Sequence, residues 1–383
     1  MTDGDSWLDD PSWPWLDDPR LCREDPRWPE VLEDQRAAGL SADHGCASDH
    51  IANRVFGSVP PRWRQPPPEL LDTLFNRSRT VVFVGDSLLQ QQYRSLVCVL
   101  LSDRSTARLP EAPISPSCDC SSSMWSRGGR RLHVCLLCSA HFLGRAAVVG
   151  QQRSGNGSEA GEVEQKLSAA LLPQPLIGHG EDESTGTDLL VLVGVGAHYN
   201  HHSTASSRSI AQYERELADL PRWWNPLRRR WLEARSGRAS AELLIQEPLP
   251  QHFDNPPALG LYDPAVLRAN AIKGALRSNH AAPSINSTRS GACGVRRSCA
   301  MLESQKCTAH TGASDGVHDR RWAAFASAVP AGIRVSRVHS LASPLWFAHR
   351  GWDCTHFCAS AVYLWNVELG RQMRRAAPAG EGW

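Results

Sequence analysis

Apolar positions recur along the chain at two spacings, and these predict its elements. Residues 80–84 read TVVFV, the unbroken β-branched and aromatic run that a strand covered on both faces requires. Residues 188–193 (DLLVLV) and 241–246 (AELLIQ) repeat that pattern, and 333–338 (IRVSRV) gives a further strand. A strand is also expected at 131–138 (RLHVCLLC), with 142–149 continuing it as a hairpin. Between these runs the period lengthens. Leu88, Tyr93, Leu96, Val97 and Leu100 fall at helical spacing, which predicts a helix over 88–101. Shorter helices are expected at 69–75, 209–220 and 322–328, and a closing helix at 361–371. Strands that alternate with helices predict an α/β fold, a mainly parallel sheet flanked by helices. In such sheets the ligand lies beyond the carboxyl ends of the strands. Three segments stand there: Gly85-Asp86-Ser87, then 194–200 (GVGAHYN), then 247–253 (EPLPQHF).

The remainder of the chain divides by composition. Residues 1–66 are rich in Pro, Trp and Asp, include Cys22 and Cys46, and read as an irregular, disulfide-tied N-terminal extension. The string WLDDP occurs at Trp7 and again at Trp15, and two copies this short do not make a repeat array. Residues 67–383 are expected to form one catalytic domain, with loop insertions near 151–165 and 270–318.

Charge and cysteine usage narrow the function classes. The chain has 383 residues, with 41 Lys+Arg against 40 Asp+Glu, a balance that argues against nucleic acid or an anionic membrane as partner. No membrane span is visible, since no apolar stretch approaches the ~18 residues that one needs. Twelve cysteines, together with N-x-S/T sequons at Asn76, Asn156 and Asn286, favour an oxidising secretory lumen. The acidic first 22 residues lack the basic start and apolar run of a signal peptide, so the chain is expected to be N-terminally incomplete. Tryptophan is abundant, at 14, and suits either a sugar-binding groove or the core.

The candidate chemistry centres on Ser87. Gly85 lets the chain turn sharply after its strand. Ser87 then opens a helix, where backbone N–H groups lack helical partners and can stabilise an oxyanion. Asp86 is expected to brace the turn. A serine nucleophile needs a base, and the base an orienting acid. The spacing of Asp353 and His356 lets one loop or helical turn present both, with Asp353 orienting His356 and His356 taking the proton of Ser87. Cys354 and Cys358 flank His356 and are placed to pin that segment. Zinc is the competing reading, both here and at Cys118-x-Cys120 with Cys135-x-x-Cys138. Positions 135 and 138 fall on opposite faces of a strand, so disulfides are preferred and no metal site is expected. His198, His201 and His202 read as a polar rim of the site, and Arg228, Arg229 and Arg230 as a solvated helix face.

The GDS segment, Asp353-Cys354-Thr355-His356-Phe357-Cys358 and the following Trp365-Asn366 resemble the plant trichome birefringence-like family. That family belongs to the PC-esterase group of SGNH hydrolases and includes polysaccharide O-acetyltransferases. Its members carry GDS near the start and D-C-[ST]-H-x-C near the end. Arg62-Trp63-Arg64-Gln65-Pro66 is similar to the family's WRWQP element, and 188–199 resembles a strand and loop containing N-x-G-x-H/W. Pro250-Gln251-His252-Phe253 is similar to its S-x-H-F element, with Pro250 in the serine's place. The resemblance spans roughly residues 46–369. Two departures stand out. Leu89, Gln90, Gln91 and Gln92 occupy positions where the family often has Ser-Arg-Asn-Gln, and Gly194 stands where an Asn is expected.

The resemblance implies an SGNH-hydrolase-like, flavodoxin-like fold and an acyl-enzyme on Ser87. His356 would act as base and then acid, and a polysaccharide hydroxyl would accept the acetyl group. Gly85, Asp86, Gly196 and His198 would line the substrate or oxyanion site, with Gln91 or Asn200 as the side-chain donor. No bound cofactor is implied. An acetyl donor such as acetyl-CoA would be a co-substrate, although no acetyl-CoA phosphate loop is recognisable. The implied location is the Golgi lumen or the secretory pathway. With water as acceptor the same triad makes a carbohydrate esterase. A catalytically silent glycan-binding relative is the alternative from a different class.

Overall fold

The computed structural model describes residues 51–109, 123–138, 188–197, 199, 209–234, 239–252, 320–350 and 353–374. The chain begins there with α1 (Ile51–Gly57), a single 3-10 turn (Pro61–Trp63) and α2 (Pro67–Leu74). Next come β1 (Arg79–Gly85), α3 (Ser87–Ser102), β2 (Ala107–Arg108), β3 (Ser123–Arg127), β4 (Arg130–Cys138) and β5 (Asp188–Gly194). They are followed by α4 (Ile210–Ala218), α5 (Leu220–Ala234), β6 (Ala241–Gln246), α6 (Arg320–Ala328), β7 (Arg334–Ser336) and α7 (His339–Ala342). A short hairpin, β8 (His349–Arg350) and β9 (Asp353–Phe357), precedes the closing helix α8 (Ala359–Arg374).

Seven of these strands form one sheet in the order β2-β3-β4-β1-β5-β6-β7. β1 pairs parallel with β4 and β5, and β6 pairs parallel with β5 and β7. Counted along the chain, the parallel strands β4-β1-β5-β6-β7 take the flavodoxin-like order of a doubly wound sheet. Every residue of β1 is buried, as its uninterrupted apolar run requires. Val82 and Val84 turn one way, into a core with Val191, Ile245, Trp223, Trp231 and Phe325 supplied by β5, β6, α5 and α6. On the other face Phe83 meets Tyr93 of α3, with ring centroids 5.7 Å apart. Burying side chains of this size contributes about 1.5–3 kcal/mol each. The sheet is therefore covered by helices on both faces, the architecture that the alternating pattern predicts.

Several details differ from the expectation. The antiparallel partner of β4 lies upstream as β3, joined by Gly128 and Gly129 with φ of 55° and 78°. Two consecutive positive φ values make a tight hairpin turn that glycine adopts without strain. The hairpin expected at 142–149 lies outside the described residues. Within the extension expected to be irregular, Ile51–Gly57 is a helix that buries Val55 and Phe56. The helix expected to end at 220 is followed by a second, α5, which carries Pro226 inside it. Of the three arginines expected on a solvated face, Arg229 and Arg230 are exposed, whereas Arg228 is half-buried and donates to Ala241 O at 3.3 Å. Trp63, Trp125, Trp223, Trp224, Trp231 and Trp365 are all buried, so these tryptophans are core residues and not a sugar platform.

The described residues fall into two compact units. The larger contains 65–109, 123–138, 188–197, 199, 209–234, 239–249, 320–339 and 364–374, and so holds the whole seven-stranded sheet. The smaller contains 51–64, 250–252, 340–350 and 353–363, with the β8–β9 hairpin.

Candidate active site

In the larger unit, the sheet reverses its winding direction between β1 and β5. Doubly wound sheets open a crevice at this switch point, beyond the strand ends. β1 ends there in Gly85 and β5 in Gly194, which are register partners. The two backbones close tightly. A Cβ on Gly85 would lie 2.0 Å from the Gly194 carbonyl oxygen and 2.8 Å from Leu89 Cδ2. Only glycine fits, and Asp86 N–H then donates to Gly194 O at 3.2 Å.

Asp86 is the N-cap of α3 and is buried. One carboxylate oxygen accepts from Leu88 N–H at 3.0 Å. The other accepts from Gly196 N–H at 3.0 Å and from Ala197 N–H at 3.1 Å. One side chain thus caps the helix and ties it to the loop after β5. Asp86 braces the turn, as its position suggested. Gly196 N–H points at this carboxylate, so the backbone donor assigned to a substrate oxygen is engaged within the protein.

Ser87 is the first residue of α3 and is half-buried. It therefore sits at the positive end of a 16-residue helix, where developing negative charge is favoured. Gln91 follows one turn later on the same helix face and is buried. Gln92 has a different task. Its Nε2 donates to Trp365 O at 3.1 Å, and Asn366 Nδ2 donates back to Gln92 O at 3.2 Å. This reciprocal amide clamp fixes α3 against α8 and gives Trp365-Asn366 a physical role.

The loop after β5 is gripped from a second direction. Arg321 of α6 is fully buried, and it donates to Gly196 O at 3.1 Å and to Leu249 O at 3.0 Å. Gly196 also packs on the loop after β6, since a Cβ there would lie 2.8 Å from Pro248 Cβ. Nothing in the sequence singled out Arg321, because an arginine opening a short helix reads as solvent-facing. Glu247, directly after β6, was also missed. Its carboxylate accepts from His339 N–H at 2.9 Å. Burial pushes the Glu247 carboxyl up, against the smaller opposing pull of that bond and of the nearby His339 and Arg337.

Asp353 and His356 belong to the smaller unit, on β9. The segment is extended, paired antiparallel with β8 around a register shift at His349 and Arg350, and does not form the helical turn that D-x-x-H spacing allowed. The segment is held at several points. Cys358 N–H donates to Ala348 O at 2.8 Å, and Gln251 Nε2 donates to Thr355 Oγ1 at 3.2 Å. His349 Nδ1 lies 3.0 Å from the His356 carbonyl oxygen, and a carbonyl only accepts, so this nitrogen is the donor. Cys358 is disulfide-bonded, as are Cys98 and Cys135. The structure therefore groups Gly85, Asp86, Ser87, Gln91 and Gly196 in the larger unit, and places Asp353 and His356 on one strand of the smaller. His198 and Asn200 lie outside the described residues. Among the described residues, no cluster of three or more metal-ligating side chains occurs, and no helix is long and apolar enough to cross a membrane.

No protein-family model matches the sequence, and no curated protein matches it either. Among solved structures the chain is similar to Est24, a carbohydrate acetylesterase from Sinorhizobium meliloti, at 12% identity. The match has a TM-score of 0.34 and covers 77% of this chain and 98% of that one. The α/β fold class stands on the strand order and the helices on both faces.

Proposed function

We propose that this chain is a serine O-acetyltransferase that moves an acetyl group onto a polysaccharide hydroxyl, with Ser87 as nucleophile. The observation that carries this reading is the placement of Ser87. It stands at the switch point of a doubly wound sheet, at the start of a long helix, on a turn braced by Asp86. The glycan and the acetyl group are taken from the motif resemblance.

The chemistry runs in two halves. Ser87 Oγ attacks the acetyl carbonyl of the donor while His356, oriented by Asp353, removes the hydroxyl proton. Negative charge builds on the carbonyl oxygen, and the positive end of the α3 dipole would favour it. The tetrahedral intermediate collapses, the donor's leaving group departs with the proton from His356, and acetyl-Ser87 remains. A sugar hydroxyl then attacks, His356 again takes the proton, and the acetyl–Oγ bond breaks as His356 returns that proton to Ser87. With water as acceptor the same steps make a carbohydrate esterase.

A fluorophosphonate probe tests the nucleophile. The wild-type chain should be labelled and Ser87→Ala, with its fold retained by circular dichroism, should not. A well-folded wild-type protein that takes no label would sink the reading and favour the silent glycan-binding relative. Assays with an acetyl donor on acetyl-free xylan, mannan and pectin then separate transfer from hydrolysis.

A further inference from the structure

Within the smaller unit, residues 250–252 bring a third histidine to the hairpin that carries His349 and His356. His252 is 0% exposed and His349, on β8, is 3% exposed. Their rings meet edge to face with centroids 4.8 Å apart, and His252 Nδ1 lies 2.6 Å from His349 Nε2. Both outer nitrogens face carbonyl oxygens. His252 Nε2 is 3.0 Å from Ser343 O, and His349 Nδ1 is 3.0 Å from His356 O.

The proton count of this chain of contacts is informative. A carbonyl oxygen only accepts, so each outer nitrogen must carry a hydrogen. The inner nitrogen pair needs a third hydrogen between them. Two neutral imidazoles bring one each, which leaves one contact as two lone pairs facing each other. We infer that His252 and His349 share three ring protons and one positive charge, forming a buried imidazole–imidazolium bridge from Ser343 to His356.

Two further observations fit a charge there. The short inner contact is what a charge-assisted hydrogen bond gives. The His349 ring also lies against Phe357, with centroids 4.0 Å apart and planes 36° apart, and an aromatic face attracts a cation. Gln251, next in the chain to His252, fastens Thr355. Residues 251 and 252 therefore hold two consecutive residues of β9. The charge assignment stands independently of the proposed activity. Its consequence rests on that activity: His252 and His349 are positioning residues that fix the backbone of the base.

The test is a long-range proton–nitrogen correlation spectrum of the full-length chain labelled with 15N-histidine, with H252Q and H349Q used to assign the signals. Three protonated ring nitrogens across the pair support the bridge, and two overturn it. The wild-type spectrum decides this even where a variant folds poorly. Turnover of an activated acetyl ester tests the positioning. His252→Gln should lower kcat about tenfold or more with KM retained, because small misplacements of a catalytic group are costly. An unchanged kcat would overturn the positioning role. A wild-type chain with three ring protons but no turnover would remove the proposed activity and leave the bridge intact.

Discussion

At the scale of single residues, Asp86 carries more than its neighbours. Its two oxygens collect N–H groups from Leu88, Gly196 and Ala197. An asparagine offers one acceptor and places an NH2 group against a donor. Asp86→Asn should therefore cost about 2–4 kcal/mol in urea unfolding, and it should slow labelling of Ser87 as the turn loosens. Adjacency made Asp86 and Ser87 legible in the sequence, since both sit where a buried strand meets a helix. Arg321 was illegible for the opposite reason. Its partners, Gly196 O and Leu249 O, are 125 and 72 residues away, and only the fold makes an interior residue of it. His252 and His349 are separated by 97 residues, so their pairing could not be read from local pattern.

At the scale of elements, the strands of the parallel sheet were the easiest to read. Burial on both faces demands continuous apolar runs, and β1, β5 and β6 supply them. The β8–β9 hairpin has no such run. It is short, lies outside the main sheet, and is shaped by Gln251 and His349 more than by any intrinsic preference. The junction of β1 with α3 depends on one missing side chain. Gly85→Ala would drive a methyl into the Gly194 carbonyl and Leu89, where the nearest atom is backbone. Overpacking at such a point should cost at least about 3 kcal/mol, seen as a lower urea midpoint together with loss of Ser87 labelling. The same substitution at Gly128 meets nothing within 4 Å and should be milder, limited by its φ of 55°.

At the scale of the whole molecule, stability should fall in acid for a reason located on β4. Burial pushes the His133 imidazole from 6.5 down to about 4. Above the ordinary histidine value neither state binds the proton. Below it the unfolded chain does and the folded chain does not, so stability is lost as pH falls from 6.5 towards about 4. The slope is at most about 1.4 kcal/mol per pH unit. His133→Gln should flatten the urea midpoint across that window, and an unaltered slope would assign the acid sensitivity elsewhere. Glu247 acts with the opposite sign. Its carboxyl is pushed up, so the folded chain keeps a proton that the unfolded chain releases, and stability falls as pH rises above the usual carboxylate range.

The lengths of the outermost strands have a further consequence. Among the described residues, the sheet ends in β2, which has two residues, both exposed, and in β7, which has three, two half-buried and one buried. An unpaired strand edge is a template on which another chain can add, and long flat edges invite aggregation. Here each edge is a stub bearing an arginine, Arg108 on one side and Arg334 on the other, and Arg334 is tied to Glu242 and Gln372. The sheet offers little backbone for a stranger to extend, and so resists edge-to-edge polymerisation without closing into a barrel.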